Sequence, residues 1–230
     1  MKRIVIGVPS HGDWKAAFGI SLSQMCMATL KHGDKEVSVV GSMGSMLSKQ
    51  RHDLVVAARA QDATHLLFLD SDIIFPDDTL DQLLFWDKPV VGAAYPTKTI
   101  PSMPTVRKWS QARERWEFVF TNKKSEDLEQ VDRLPTGCLL IEMGVFEQIK
   151  QPWFEFAWTG EEDLYQGEDW GLCERIEEAG IEMYLDHNVT KEVGHIGNFV
   201  FKNAHVKPDY IQYPKDKKSF RTFKDRGVVR

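Results

Sequence analysis

The chain has 230 residues, of which 42% are hydrophobic and 27% are charged. This composition excludes a disordered polypeptide, because it supplies enough apolar side chains for a sizeable core. The length suits one large α/β domain. No apolar run approaches the length of a membrane span, and the first residues predict a strand rather than a signal peptide, so we expect a cytoplasmic protein. Three cysteines far apart in the sequence are expected to be buried free thiols: Cys26, Cys138 and Cys173.

The net charge of −5 conceals an asymmetry. Residues 202–230 contain nine Lys or Arg and three Asp, a local balance of +6, which leaves −11 for the rest of the chain. We therefore divide the chain into a folded domain, residues 1–200, and a basic tail, residues 201–230. The tail either closes over a phosphate-bearing ligand, contacts nucleic acid or anionic lipid, or is a solvated terminus.

Strands and helices alternate along the first part of the chain. In order, the pattern predicts a strand at Arg3–Val8, a helix at Trp14–Leu30, a strand at Val37–Val40, a turn at Gly41–Ser45, a helix at Met46–Ala60, a strand at Leu66–Leu69, a short helix after Pro76 and a strand at Val90–Tyr95. The later elements are a long loop at Pro96–Arg113, a strand at Glu117–Thr121, an exposed excursion at Asn122–Glu129, a strand at Cys138–Ile141, a helix at Val145–Ile149, an amphipathic helix ending at Gly180 and a strand at Ile181–Leu185. This order predicts a single Rossmann-like α/β domain with a mostly parallel central sheet flanked by helices.

Two carboxylates follow the apolar strand Leu66–Leu69. In extended backbone Asp70 and Asp72 point to the same face, and they lie at the carboxyl end of the strand, where ligands of open α/β sheets bind. Hard oxygen donors at this point suit Mg²⁺ or Mn²⁺ carrying a phosphate-bearing substrate. The alternative is structural: Asp70 ends the strand, and Asp72 with Asp77 begins a turn or helix.

A second acidic pair, Glu168 and Asp169, begins the amphipathic helix. An aspartate there is explained equally well as an N-cap, and the helix N-terminus is expected to favour its ionised form. The aromatic residues nearby suit either a sugar or an ordinary core; they are Trp153, Phe154, Phe156, Trp158, Tyr165 and Trp170. Further along, His195 stands between glycines and is either a turn residue or a third metal ligand.

Four segments in this order resemble GT-A glycosyltransferases, especially family-2-like enzymes: FLDSDIIFP (68–76), LPTGCLLIE (134–142), GEDWGLCERIEEAG (167–180) and VGHIG (193–197). The resemblance extends from about Ile4 to Gly197. It implies a GT-A fold and a metal-dependent glycosyltransferase that moves a sugar from a nucleotide-sugar donor, with UDP as the expected nucleotide, to a hydroxyl acceptor.

The resemblance also implies roles for individual residues. Asp70 matches the acid that contacts ribose or metal-bound water, Asp72 the direct ligand of Mn²⁺ or Mg²⁺, and His195 the late histidine of the metal site. Asp169 matches the catalytic base of an inverting transfer, with Glu168 as its neighbour. The implied donor contacts are Pro9, Ser10, His11, Arg51, Asp70, Ser71 and Gly137.

Several alternatives remain open. A retaining outcome is compatible with the same acids. A nucleotidyltransferase is disfavoured because Pro9–Asp13 has one glycine and no Lys or Arg, and a haloacid-dehalogenase-type phosphohydrolase because Ile74 stands where a threonine is expected. A non-catalytic nucleotide- or sugar-binding module is the alternative from another class. Arg51 precedes His52, where relatives usually carry asparagine, which leaves the role of Arg51 undecided.

The sequence does not identify the acceptor, which could be a glycan, a lipid-linked group or a nucleic acid. The loop Pro96–Arg113, which carries Lys98, Arg107 and Lys108, and the basic tail are candidate contacts for it. The donor sugar and the oligomeric state are likewise left open.

Overall fold

A computed structural model describes residues 1–31, 33–158 and 165–206. Most of the basic tail, residues 207–230, and the segment 159–164 lie outside the described residues. Within the described ranges, no helix combines the length and apolarity needed to cross a membrane. Cys138 and Cys173 are buried free thiols, as predicted, whereas Cys26 is a free thiol that is only half-buried.

The helices are α1 (Ala16–Leu30), α2 (Leu47–Ala60), α3 (Thr79–Phe85), α4 (Val145–Gln148), α5 (Glu168–Glu178) and α6 (His187–Glu192), followed by a 3₁₀ turn at Asn203–His205. The strands are β1 (Lys2–Ser10), β2 (Lys35–Met43), β3 (His65–Leu69), β4 (Ile73–Ile74), β5 (Val90–Gly92), β6 (Arg107–Ser110), β7 (Arg115–Phe118), β8 (Leu128–Val131), β9 (Cys138–Glu142), β10 (Ala157–Trp158), β11 (Tyr165–Gln166), β12 (Met183–Asp186), β13 (Gly194–Ile196) and β14 (Val200–Lys202).

The central sheet has seven strands in the order β2-β1-β3-β9-β5-β12-β8. Strands β1, β2, β3, β5 and β12 share one direction, whereas β9 and β8 run antiparallel to their neighbours. The prediction of an α/β domain with a mostly parallel sheet flanked by helices is therefore confirmed. The strand predicted at Cys138–Ile141 is present as β9, inserted antiparallel between β3 and β5.

The core occupies both faces of the sheet. Along β3, Leu66 and Phe68 pack with α2, α4 and α5 on one face, while Leu67 and Leu69 pack with α1 and α3 on the other. All of β3 is buried. The uninterrupted apolar run is thus explained by a strand covered on both sides, and the chain must meet the sheet edge where the run ends, at Asp70.

Two predictions about the middle of the chain are wrong. The segment Pro96–Arg113 is not one loop, because its last part contains β6, which forms an antiparallel hairpin with β7. The excursion Asn122–Glu129 ends inside β8, which forms the sheet edge beside β12. Both strands carry charged residues and lie at edges or outside the sheet, so neither has the apolar alternation that marks a half-buried strand.

Some predicted boundaries also differ. Strand β2 extends to Met43, so it takes up the first part of the turn expected at Gly41–Ser45, and β5 ends at Gly92 rather than Tyr95. Strand β2 is partly exposed along its length. Its ends are polar, so an apolar run in the sequence marks only its middle.

A small second sheet, in the order β14-β13-β4, lies at the carboxyl end of β3. Strand β4 directly follows the acidic pair, and β13 pairs with it so that His195 is opposite Ile73. The backbone N–H of Ile196 donates to the carbonyl of Asp72 over 2.7 Å. This pairing positions a residue from near the end of the fold beside the acids after β3. Because β14 begins at Val200, the described fold continues past residue 200.

Candidate active site

A cavity of about 160 Å³ opens at the carboxyl ends of β1 and β3. Its lining residues are Pro9, Ser10, His11, Leu47, Gln50, Asp70, Ser71, Asp72 and His195. The structure therefore brings together the end of β1 with the residue that follows it, the acidic pair and the late histidine. Two other residues expected to contact a donor, Arg51 and Gly137, are not among the lining residues. Gln50 was not anticipated; it is buried, and its side-chain N–H donates to the Gly44 carbonyl over 2.8 Å.

Arg51 lies behind this cavity, on the buried side of α2, and is 3% exposed. Its guanidinium donates to Asp70 Oδ1 over 3.1 Å and to Glu168 Oε1 over 2.6 Å. Burial disfavours the charged guanidinium, but the carboxylates of Asp70 and Glu168 more than offset this and raise the pKa of Arg51. Arg51 thus holds the two acidic motifs next to each other.

The second oxygen of Asp70 is also occupied. The Tyr95 hydroxyl donates to Asp70 Oδ2 over 2.9 Å and accepts from the Gly137 N–H over 3.1 Å. The Gly137 carbonyl in turn accepts from the Asp70 N–H over 2.9 Å. A Cβ at position 137 would lie 2.2 Å from Asp70 Oδ2 and 2.1 Å from the Tyr95 hydroxyl, so only glycine fits. Gly137 therefore orients Asp70, and it does so from behind the cavity.

Tyr95 is a site residue that the sequence does not reveal, because its pattern marks Tyr95 only as the end of a strand. The one available signal was its place just beyond the carboxyl end of β5, since β5 is parallel to β12 and shares the direction of β3.

Asp72 has different partners from Asp70. The Lys98 ammonium donates to Asp72 Oδ2, and His195 Nε2 lies 3.5 Å from Asp72 Oδ1. His195 Nδ1 donates to the Pro96 carbonyl over 2.9 Å, which directs Nε2 toward Asp72. Burial acts to raise the pKa of Asp72, but the contacts with His195 and Lys98 outweigh it and lower the pKa to about 2. Asp72 is therefore ionised at any physiological pH.

These contacts bear on the expected metal site. Across the described part of the chain, no group of three His, Cys, Asp or Glu side chains is arranged to hold a metal ion. Asp70 is turned toward Arg51 and Tyr95, whereas Asp72 and His195 face each other. One carboxylate and one imidazole fit a divalent ion completed by substrate phosphates, since Mg²⁺ and Mn²⁺ often use few protein ligands. The donor set thus fits a two-residue site on Asp72 and His195, next to the Lys98 ammonium.

The second acidic pair begins α5. The N-cap residue is Gly167 and no side chain caps the helix, so the alternative interpretation of Asp169 as an N-cap does not hold. Asp169 Oδ1 accepts from the Trp170 N–H over 2.8 Å, and within the described ranges its carboxylate forms no ion pair. Glu168, by contrast, is ion-paired with Arg51.

The pKa of Asp169 differs from the expectation. We expected the helix N-terminus to favour the ionised form, but burial and the neighbouring Glu168 carboxylate together raise the pKa of Asp169 to about 6. Arg51 and the Trp170 N–H act in the opposite direction without cancelling this rise. A carboxylate with such a pKa is better matched to proton transfer near neutral pH than an unperturbed aspartate.

The aromatic residues before α5 fall into two sets. Trp153 and Phe154 are buried in the core. Phe156, Trp158 and Tyr165 are exposed by 61%, 59% and 61%, and the Phe156 and Tyr165 rings stack with centroids 5.3 Å apart. We call these three exposed residues, at or beside β10 and β11, the aromatic patch. Strand β11 leads through Gly167 directly into the acids of α5.

Comparison with known proteins supports the fold. No protein-family model and no curated protein matches the chain. Among solved structures, A197 from STIV aligns over 92% of this chain and 98% of its own, with a TM-score of 0.56 and 19% identity. GalNAc-T7 with UDP, GalNAc and Mn²⁺ aligns over 84% of this chain and 43% of its own, with a TM-score of 0.52 and 13% identity.

At these identities the likeness shows the fold and nothing finer. The fold is that of a GT-A, Rossmann-like α/β domain, and a glycosyltransferase is among the proteins that share it.

Proposed function

We propose that the chain is a glycosyltransferase that moves a sugar from a nucleotide-sugar donor to a hydroxyl acceptor. The observation that carries this proposal is the position of Arg51, which joins Asp70 of the first acidic motif to Glu168 of the second. Asp70 lines the proposed donor cavity and Glu168 directly precedes the candidate base, Asp169. The Arg51 contacts therefore place the base next to the donor cavity, as sugar transfer requires. We propose UDP as the donor nucleotide; GalNAc-T7, which shares the fold, has a structure that holds UDP, GalNAc and Mn²⁺.

The residues of the chain take distinct parts. Pro9, Ser10 and His11 line the cavity and would contact the nucleotide, beside Ser71. Asp72 and His195 would hold Mn²⁺ or Mg²⁺ together with the donor diphosphate. Such an ion, when bound, supplies positive charge that stabilises the leaving diphosphate.

Asp169 is the proposed base. Its carboxylate would accept the proton of the acceptor hydroxyl during an inverting transfer. Glu168 is held by Arg51 and is better suited to positioning Arg51 and raising the pKa of Asp169 than to accepting a proton itself.

The acceptor side is best matched by a neutral sugar. The aromatic patch offers exposed ring faces of the kind that stack on the apolar face of a pyranose. Residues 151–173 contain six acidic residues and no Lys or Arg. Glu155 and Glu168 are paired with Arg175 and Arg51, and the remaining excess of negative charge disfavours nucleic acid and anionic lipid head groups. A glycan is therefore preferred over the other two acceptor classes.

The test is a donor screen that measures nucleotide diphosphate release from UDP- and GDP-sugars with Mn²⁺, with and without candidate glycan acceptors. We expect UDP release that depends on acceptor and is lost in Asp169→Asn while UDP binding persists. Glu178→Gln is the matched control, because Glu178 is exposed on the same helix. Nucleotide binding without turnover of any donor would favour the non-catalytic module instead. Undiminished turnover by Asp169→Asn would remove that residue from the base role.

A further inference from the structure

Lys98 occupies the position that a cation would take on Asp72. Its ammonium donates to Asp72 Oδ2, while His195 approaches the other carboxylate oxygen at 3.5 Å. One oxygen of Asp72 is therefore already paired with a positive charge that belongs to the chain itself, while the imidazole that would complete a divalent site lies at the other oxygen. We propose that Lys98 is an internal competitor of the metal: it neutralises Asp72 in the free protein and must leave before a divalent cation binds there.

The backbone around Lys98 is arranged to hold it in this position. Thr97 N–H donates to the Met103 carbonyl, and Met103 N–H donates to the Thr97 hydroxyl, each over 2.9 Å. These bonds close a small loop, residues 97–103, that carries Lys98. The preceding residue, Pro96, accepts the bond that orients His195. One segment thus supplies the competing ammonium and directs the imidazole that would ligate the metal.

Charge makes the two occupants exclusive. Asp70 is already balanced by Arg51 on one oxygen and accepts from Tyr95 on the other, so a second cation gains less from it than from Asp72. A divalent ion on Asp72 beside an undisplaced Lys98 ammonium would place like charges within ion-pair distance. The side chains of Lys98 and Asp72 are 36% and 30% exposed, which leaves room for the ammonium to move aside.

The consequence is a cation site with weak affinity in the absence of donor. A diphosphate brings negative charge that both the metal and the released Lys98 can meet, so donor and metal are expected to bind together. This inference rests on the proposed divalent ion of the transferase, but it concerns cation binding alone and is measurable without turnover.

The experiment is a Mn²⁺ titration of the full chain without nucleotide, with free Mn²⁺ followed by electron paramagnetic resonance. We expect Lys98→Met to bind Mn²⁺ about tenfold more tightly than the unmodified chain, because the competing charge is gone. Lys98→Arg keeps the charge and should retain the weak affinity. Lys108→Met is the matched control, since Lys108 pairs with Glu129 away from Asp72.

A companion variant, Lys98→Met combined with Asp72→Asn, should lose the gained affinity. Equal or weaker Mn²⁺ binding by Lys98→Met, including no binding at all, would overturn the inference, as would tight binding that survives Asp72→Asn. These outcomes can be distinguished from a failure of the proposed transferase activity. Tightened Mn²⁺ binding in a chain that turns over no nucleotide sugar leaves the cation competition standing.

Discussion

The Arg51 guanidinium donates to Glu168 over 2.6 Å, although 117 positions separate the two residues in the chain. The same guanidinium reaches Asp70, so one buried positive charge compensates carboxylates from two distant motifs. Its position makes Arg51 both a structural tie between α2 and α5 and the element that fixes the relative placement of the candidate donor and base residues.

Replacing Arg51 should therefore destabilise the fold. We expect Arg51→Met to lower the free energy of unfolding by about 3–5 kcal/mol, because removal of one partner leaves buried charge uncompensated. Urea denaturation measures this directly. Lys49→Met on the same helix is the control: Lys49 is exposed, and its pair with Asp53 is worth about 0.5 kcal/mol or less. A loss for Arg51→Met no larger than that of the control would contradict the assignment.

Gly137 offers a test of close packing behind Asp70. In Gly137→Ala the new methyl group would collide with Asp70 Oδ2 and the Tyr95 hydroxyl, and we expect a loss of about 1–3 kcal/mol from overpacking. Gly144→Ala serves as the comparison, because no heavy atom lies within 4 Å of its added Cβ and its φ is −61°. Thermal denaturation of both variants should separate them clearly; equal midpoints would show that the site around Gly137 relaxes freely.

The raised pKa of Asp169 predicts the pH dependence of turnover. With a pKa of about 6, the base is ionised at pH 7 and becomes protonated below pH 6, so kcat/KM should fall about tenfold per pH unit on the acid side. Glu168→Gln removes one of the charges that raise this pKa, and the acid limb should move to lower pH. A pH profile of both proteins, taken where circular dichroism shows them folded, gives the answer. An unmoved limb would mean that another group sets it.

His65 predicts a loss of stability on mild acidification, far from the candidate site. Burial, aided by the Lys2 charge, lowers the pKa of His65 to about 4, against about 6.5 for an unperturbed histidine. The folded state thus favours the neutral ring. Its contribution to stability is complete above about pH 6.5 and is lost progressively as the pH falls toward 4.

Urea denaturation at a series of pH values measures this dependence. His65→Gln should flatten the curve between pH 6.5 and 4, whereas His11→Gln, at an exposed position, should leave it unchanged. A curve of the same slope in His65→Gln would assign the acid sensitivity to other groups.

The sequence predicted the central strand of the sheet better than its edge strands and the outlying hairpin. The apolar run Leu66–Leu69 identified β3 and the position of Asp70 and Asp72 beyond it, because a strand covered on both faces has few alternatives. The predicted length of β2 was wrong, and β6 and β8 were not predicted at all. The polar residues of these strands have no periodicity that distinguishes a strand from a loop.

The same limit applied to the candidate site. Of the residues around the cavity, all but Leu47 and Gln50 were predicted, but the partners of each acid were not. Arg51 belongs to α2 on any interpretation, yet its two carboxylates lie 19 and 117 positions away, and side-chain partners at such separations leave no trace in a single sequence. Lys98 lies in a segment without periodicity, where only the folded chain shows which acid it meets.

Because β13 pairs with β4, the approach of His195 to Asp72 depends on the register between these two strands. Successive residues of a strand face opposite sides, so a slip of one position would turn the imidazole away and present Gly194 or Ile196 in its place. A single-residue insertion in the stretch from Val193 to His195 would therefore erase this half of the cavity without touching any of its side chains. An insertion of two residues would keep the imidazole on the same face of β13 and would change only its position along the cavity.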